Sequence, residues 1–159
     1  MEDRQFRNAM GNFATGVNVI TTEVDGDVHG MTANAFMSVS LDPKLVVISV
    51  GENASMLEKI RKSKTYAVNI LSKDQQELSM IFAGQIKEDR HVDFEWLADL
   101  PVIKGASTQI SCEVVNEHVE GDHTLFIGKV VDLKLKDCSD PLVFYKGKYT
   151  SLEKSGVAI

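Results

Sequence analysis

The stretch Gly30-Met31-Thr32-Ala33-Asn34-Ala35-Phe36-Met37-Ser38-Val39-Ser40 concentrates small neutral donors. Thr32, Asn34, Ser38 and Ser40 supply hydroxyl and amide groups. Gly30, Ala33 and Ala35 are small enough to let a ligand approach the backbone. Hydroxyls and exposed backbone N–H groups can hold an anion without a lysine. By itself the segment is more simply read as a hydroxyl-lined outer strand face, common in β-proteins. A second candidate is Gly51-Glu52-Asn53-Ala54-Ser55, which follows an apolar run and opens a helix with Ser55 as the expected N-cap. Free N–H groups and the dipole at a helix N-terminus attract anions, although an ordinary capped loop explains this segment as well. The established phosphate loops are absent. Gly11 and Gly16 have the right separation, but Val17 stands where a lysine is required, and no GxGxxG occurs. The histidines His29, His91, His118 and His123 are scattered, with no helical metal pair. His123 stands out because Gly121-Asp122 would expose it at the entry to a strand. No carboxylate pairing suggests glycosidase chemistry, and no GxSxG suggests a hydrolase nucleophile. Cys112 and Cys138 form no CxxC and read as free thiols of a reducing compartment.

The chain has 159 residues, with 17 Lys and Arg against 23 Asp and Glu and a formal charge of −6. That length suits one domain, 1–159. A hydrophobic content of 43% is enough for a real core and excludes a disordered tail. The acidic balance argues against nonspecific nucleic-acid binding and against docking on an anionic membrane. No apolar run reaches spanning length; the best is Leu45 to Val50. Met1 to Arg7 is charged and lacks the apolar core of a secretory signal, so the expected location is cytoplasmic.

These candidate groups must be positioned by a mainly β scaffold. Phe6, Met10 and Phe13 predict a short amphipathic helix over 4–13. Val17 to Val24 is β-branched and leads through Asp25-Gly26 into a returning strand over 28–33. In Phe36 to Leu41, Met37, Val39 and Leu41 share one face. After Asp42-Pro43, the run Lys44 to Val50 predicts a strand buried on both faces. A helix is expected over 56–62, with Met56, Leu57 and Ile60 inward, then a strand over 66–71. Ser72 and Gln75 form a capping-box pattern, and the helix they open should turn Leu78, Ile81 and Phe82 inward and stop near Gly84. Gln85 to Asp93 reads as an exposed loop, and Phe94 to Leu97 as one helical turn. Thr108 to Val119 and Thr124 to Leu135 are long β-rich runs joined through Glu120-Gly121-Asp122. A turn over 137–141 and a short strand over 142–145 follow. About seven strands joined by tight turns imply an antiparallel sheet closed as a barrel, and the missing strand–helix alternation excludes a Rossmann layout.

In order along the chain, several segments resemble the flavin reductase-like family, the FMN-binding split barrels. Phe13-Ala14-Thr15-Gly16-Val17-Asn18-Val19-Ile20-Thr21-Thr22 is similar to the family's F-x-T-G-V-x-V-V-T-T opening. Gly30 to Pro43 is the most specific stretch, close to G-x-T-x-N-x-F-x-S-V-S-x-x-P. Phe82-Ala83 after a helix also fits, as do Gly121-Asp122-His123-Thr124-Leu125-Phe126-Ile127-Gly128-Lys129-Val130 (G-D-H-x-x-x-x-G-x-V) and Leu142 to Tyr149 (L-x-Y-x-x-G-x-Y). One departure is visible. Many members carry D-K-F after the Phe-Ala helix, where this chain reads Asp89-Arg90-His91, with Phe94 only later.

The resemblance implies an antiparallel split β-barrel that pairs as a homodimer with flavin near the subunit interface. It implies an NAD(P)H:flavin oxidoreductase passing hydride from NADH or NADPH to FMN or FAD, with reduced flavin going to a partner monooxygenase or electrons to another acceptor. Thr32, Ala33, Asn34 and Ala35 would face the flavin and its ribityl chain. Ser38 would help with the phosphate, which Asn53 and Ser55 would complete. Ser49, Val50 and Gly51 would line the isoalloxazine edge through their backbone. Phe82, Ala83 and Gly84 would approach from across the barrel, from the same or a second subunit. His123 would sit where the nicotinamide enters and act in catalysis, and Tyr145 and Tyr149 would close the pocket. Two other readings fit the same residues: a non-enzymatic FMN electron carrier reduced by a redox protein, which the altered loop keeps open, and a split barrel without flavin.

Overall fold

A computed structural model describes residues 1–88, 90–136 and 140–152. Asp89 and Cys138, and most of the turn expected over 137–141, lie outside the described residues. The described part carries helix α1 (Asp3–Met10), strands β1 (Thr15–Gly16), β2 (Asn18–Val24), β3 (Asp27–Ala33), β4 (Phe36–Leu41) and β5 (Lys44–Gly51), and helix α2 (Met56–Ser63). Then come β6 (Thr65–Ile70), a 3-10 turn (Lys73–Gln75), helix α3 (Gln76–Phe82), β7 (Phe94–Leu97), β8 (Leu100–Ile103), β9 (Thr108–Glu120), β10 (His123–Leu135), β11 (Val143–Tyr145) and β12 (Lys148–Thr150).

Seven antiparallel strands form the main sheet in the order β3-β2-β6-β9-β10-β5-β4. The two edge strands, β3 and β4, are consecutive in sequence and joined only by Asn34 and Ala35. That link lets Ala33 and Phe36 stand at most about 11 Å apart. Laid flat, the same edges would be separated by about 29 Å. The sheet therefore curls until its edges meet, without a hydrogen-bonded ladder between them. This is a split barrel.

The local signals in the sequence explain most elements. Asp25 (φ 55) and Gly26 (φ 87) make the left-handed two-residue turn between β2 and β3. Gly121 (φ 62) turns β9 into β10, which pairs with β9 on one side and β5 on the other. In α2, Met56, Leu57 and Ile60 are buried as the spacing requires. They meet Ile20, Ile48, Val50, Tyr66, Val68, Cys112 and Phe126 in the main core. A second core gathers Val17, Val19, Leu71, Ile103 and Leu142, with Phe82, Phe144 and Tyr149 packed on it.

Several expectations need correction. Helix α1 stops at Met10, so Phe13 lies beyond it, and the helix buries none of its residues. Strand β5 buries Val46, Ile48 and Val50 but leaves Leu45, Val47 and Ser49 half-buried, because the strip between β4 and β10 is covered on one face only. Ser55 is in position ahead of α2 but makes no capping bond; its backbone is already helical, whereas a cap requires an extended residue. The Ser72–Gln75 capping box does form, with the Ser72 N–H donating to Gln75 Oε1 at 3.1 Å. In α3 the fully buried residue is Ser79, while Leu78, Ile81 and Phe82 are half-buried. Phe94 to Leu97 is a strand. Its hairpin partner is β8, through a left-handed turn at Ala98 and Asp99.

The reason for that last difference is tertiary. Buried side chains of the main sheet bond the hairpin's backbone. The Ser111 hydroxyl donates to Leu97 O (2.8 Å) and the Thr21 hydroxyl to Pro101 O (2.6 Å). Asn69 Oδ1 accepts from the Ile103 N–H (2.7 Å), while its amide donates to Val19 O (2.9 Å). Gln109 Nε2 donates to Ile103 O (2.7 Å). Such groups are costly to bury unpaired, so the hairpin and the sheet face require one another. Strands β1 and β12 are additional to the runs that the sequence pattern predicts as strands.

Gly128 is closely packed in the main core. A Cβ there would lie 2.2 Å from the Tyr66 hydroxyl oxygen and 2.9 Å from Cys112 Cβ. Burial pushes the Tyr66 phenol well above its usual value and the Cys112 thiol up to about 12, so both stay neutral and the thiol is inert. Gly128→Ala is expected to cost about 1–3 kcal/mol through overpacking. Denaturant unfolding reads this directly, and an unchanged midpoint would refute the packing account.

Candidate functional site

The seam between β3 and β4 is where functional side chains can gather, because the ladder stops there. Asn34 lies in the link and is exposed. The Ser49 N–H donates to Ala35 O (3.2 Å) and the Phe36 N–H to Asn34 O (3.0 Å), which fixes the link while leaving the Asn34 amide without a protein partner among the described residues. Asn34 forms part of the wall of two neighbouring cavities.

The smaller cavity, about 200 Å³, is lined by Val17, Thr32, Ala33, Asn34, Ser79, Ala83, Gln85, Phe144 and Tyr149. Its walls are tied together. Thr32 donates its hydroxyl proton to Ser79 O (2.6 Å), so it offers only lone pairs to a ligand. The buried Ser79 hydroxyl bonds the Tyr149 hydroxyl (2.8 Å). Phe144 and Tyr149 meet edge to face at 5.6 Å. Helix α3 is pressed against β3 because Gly30 has no side chain; a Cβ there would fall 2.6 Å from the Phe82 ring.

The larger cavity, about 690 Å³, runs from Asn34 and Phe144 under α1, past Phe6, Arg7, Met10, Phe13 and Lys146. The turn at Lys146 (φ 49) and Gly147 (φ 75) is held to the end of α1 by the Lys146 N–H donating to Gly11 O (2.9 Å). Phe6 and Arg7 also border a third cavity with Glu2, Asp122 and His123. His123 is paired with Gly51 across the ladder, and its ring lies over that glycine. Its Nδ1 bonds Asp122 Oδ1 at 2.7 Å. The hydrogen bond from His123, followed by its charge, holds the Asp122 carboxyl below the usual carboxylate range. The bond is therefore present above that lowered value and lost as pH falls through it. With Nδ1 engaged, the Nε2 edge of His123 remains for a ligand.

The residues singled out in the sequence divide into three groups. Thr32, Ala33, Asn34 and Ala83 share the smaller cavity, and Tyr149 closes it. His123 borders a separate cavity, which shares Arg7 and Phe6 with the larger one. The others stand apart. Ser38, Asn53 and Ser55 are exposed and line none of the three cavities. Val50 is fully buried, and Ser49 and Gly51 use backbone groups within the protein, the Gly51 carbonyl accepting from the Ala54 N–H. Phe82 packs on Gly30 and Phe94 of its own chain, and Gly84 (φ 70) ends α3. Tyr145 is exposed under the Lys146 ammonium. In the altered loop, Arg90 pairs with Glu77 and Glu88, and His91 with Asp93, away from the seam. Sequence reading missed Arg7, Asn12, Ser79, Phe144 and Lys146. Only Phe144 and Lys146 carried a signal, since they lie within the terminal motif.

The model of the flavin reductase like domain matches residues 10–153. The chain belongs to the flavin reductase-like family. It is 48% identical over 153 residues to an NADH-dependent flavin reductase of a Rhodococcus species, covering 94% of this chain and 86% of that protein. It is similar to the solved flavin reductase PheA2 in its native state, at 66% identity and a TM-score of 0.95, covering 97% of this chain and all 100% of the other. The styrene monooxygenase flavin reductase of Pseudomonas putida has 35% identity and a TM-score of 0.88, over 94% of this chain and 98% of that one.

The Tyr149–Ser79 bond is the tie between the β11–β12 hairpin and α3. Tyr149→Phe should leave the buried Ser79 hydroxyl unpaired and lower stability by about 1–3 kcal/mol. Thermal unfolding measures the loss, and a variant as stable as the parent would show that the bond holds nothing together.

Proposed function

We propose that this flavin reductase-like protein is an NADH-dependent flavin reductase that binds FMN or FAD at the β3–β4 seam and releases reduced flavin to a monooxygenase. Asn34 carries the reading: an unpartnered amide at the break in the ladder, between two cavities with aromatic and small-residue walls. These residues suit a flavin. Ala33 leaves the backbone open, Phe144 offers an aromatic edge, and the Asn34 amide can both donate to and accept from the polar edge of a heteroaromatic ring.

When bound, the flavin supplies the hydride-accepting ring; the protein supplies position and electrostatics. Asn34 and the Thr32 oxygen orient the acceptor. The Asp122 carboxylate holds the His123 ring so that Nε2 faces the reductant and can bond its carboxamide. Asp122, Glu2 and Asp3 put negative charge at this end, which favours the positive charge that develops on nicotinamide as it loses hydride.

The same reading makes 1–159 one domain and the working form a homodimer in the cytoplasm, where reduced nicotinamide is held. The dimer is supported by exposed apolar side chains: Phe6, Met10 and Phe13 at α1, and Met37, Val39 and Leu41 on the edge strand β4. No helix among the described residues is long and apolar enough to cross a membrane.

Anaerobic addition of NADH to the protein with FMN should bleach the oxidised-flavin band beyond a protein-free control. A flavin that binds and stays oxidised would instead favour an electron carrier. His123→Ala should raise KM for NADH about tenfold and leave flavin binding near the parent value, whereas Asn34→Ala should weaken flavin binding by a similar factor. Equal losses in both assays for both variants would refute these separate roles. For the assembly, Leu41→Glu is expected to shift the sedimentation coefficient from dimer to monomer. A monomeric parent protein would sink that part of the proposal.

A further inference from the structure

The chain is acidic overall, yet no carboxylate lines the cavity beneath α1. Its charged groups are Arg7 and Lys146, accompanied by the amides of Asn8, Asn12 and Asn34. Several other cations are held in ion pairs. Lys62 pairs with Asp25, Arg61 with Glu58, Lys73 with Asp140, Arg90 with Glu77 and Lys134 with Glu95. Among the described residues, neither Arg7 nor Lys146 has a carboxylate within ion-pair distance. Lys146 rests over the Tyr145 ring at 5.3 Å. Arg7 also borders the His123 cavity, where its charge reaches Asp122. A guanidinium thus stands between the seam and His123. The residues the sequence offered for a phosphate, Ser38, Asn53 and Ser55, lie outside this cavity.

We infer that Arg7, with Lys146 opposite, forms the phosphate receptor of this site, gripping the phosphate ester of a ligand whose ring lies toward Asn34 or His123. This rests on the flavin reductase reading and adds the anchor that the reading lacks. The guanidinium fork suits two phosphate oxygens, while the lysine acts as a point charge. Two ligands carry the required chemistry: the flavin nucleotide, through its phosphate, and the nicotinamide dinucleotide, through its pyrophosphate.

The test compares wild type with Arg7→Gln, and with Lys146→Asn, whose side chain tolerates the positive φ at that turn. Flavin-fluorescence quenching gives the Kd for FMN and for riboflavin, which lacks the phosphate. Calorimetry gives the Kd for NAD⁺ and for inorganic pyrophosphate. Loss of the charge should weaken the phosphate-bearing ligand about tenfold, and the loss should shrink as salt is raised. Weakened FMN with unchanged riboflavin assigns the receptor to the flavin; weakened NAD⁺ with unchanged FMN assigns it to the reductant. Equal weakening of riboflavin and FMN, or wild-type affinity of both variants for FMN, NAD⁺ and pyrophosphate, overturns the inference. A parent protein that binds no flavin defeats the reductase reading, and pyrophosphate binding then still decides the receptor: dependence on Arg7 upholds it, and independence overturns it.

Discussion

The two-residue link between β3 and β4 is the constraint on which the molecule depends. It forces the outermost strands of a seven-stranded sheet together. Twist alone would coil the sheet but would not bring these particular edges into contact. Because the link is too short to add a strand and too irregular to continue a ladder, closure leaves a seam. Backbone groups there are held by Ala35 and Asn34 carbonyls, and the Asn34 side chain is left over. A gap in the hydrogen-bonded wall and a place for a ligand are thus consequences of one connection.

The rest of the scaffold stiffens that seam. The main core is apolar and fills the barrel with α2 against it. The second core is built differently, from apolar residues together with Thr21, Asn69, Gln109 and Ser111, whose side chains satisfy the backbone of the β7–β8 hairpin. Directional bonds of this kind fix one placement, whereas apolar contact alone tolerates sliding. On that floor stand Phe82, Phe144 and Tyr149, which reach the smaller cavity or support its wall. Small residues set the spacing: Gly30 admits the Phe82 ring, and Gly51 lies under His123.

Charge is distributed unevenly over the same surface. Carboxylates collect at the His123 end, and unpaired cations line the cavity beneath α1. An acidic protein that keeps two cations free of partners there is suited to a ligand with an anionic tail and a ring that becomes positive on oxidation. The chemistry asks little of the protein beyond such placement.

Much of this was legible in the sequence because it is local. Alternation, the Asp25-Gly26 and Gly121 turns, the Ser72–Gln75 cap and the inward face of α2 each depend on residues within a few positions of one another. So does the run around Thr32 and Asn34, which carried the family resemblance. What the sequence could not determine depends on residues far apart in the chain. Phe94 to Leu97 is a strand because Gln109 and Ser111 hold it, and Ser79 is buried because Tyr149 reaches it from the C-terminal hairpin. Arg7, on a helix that buries nothing, meets Lys146 at one cavity only because the end of α1 is bonded to the β11–β12 turn. Local pattern set the strands, the turns and the polar link. Only closure of the barrel decided which side chains face a common space, since that follows from the distance between edges and not from any residue's own preference.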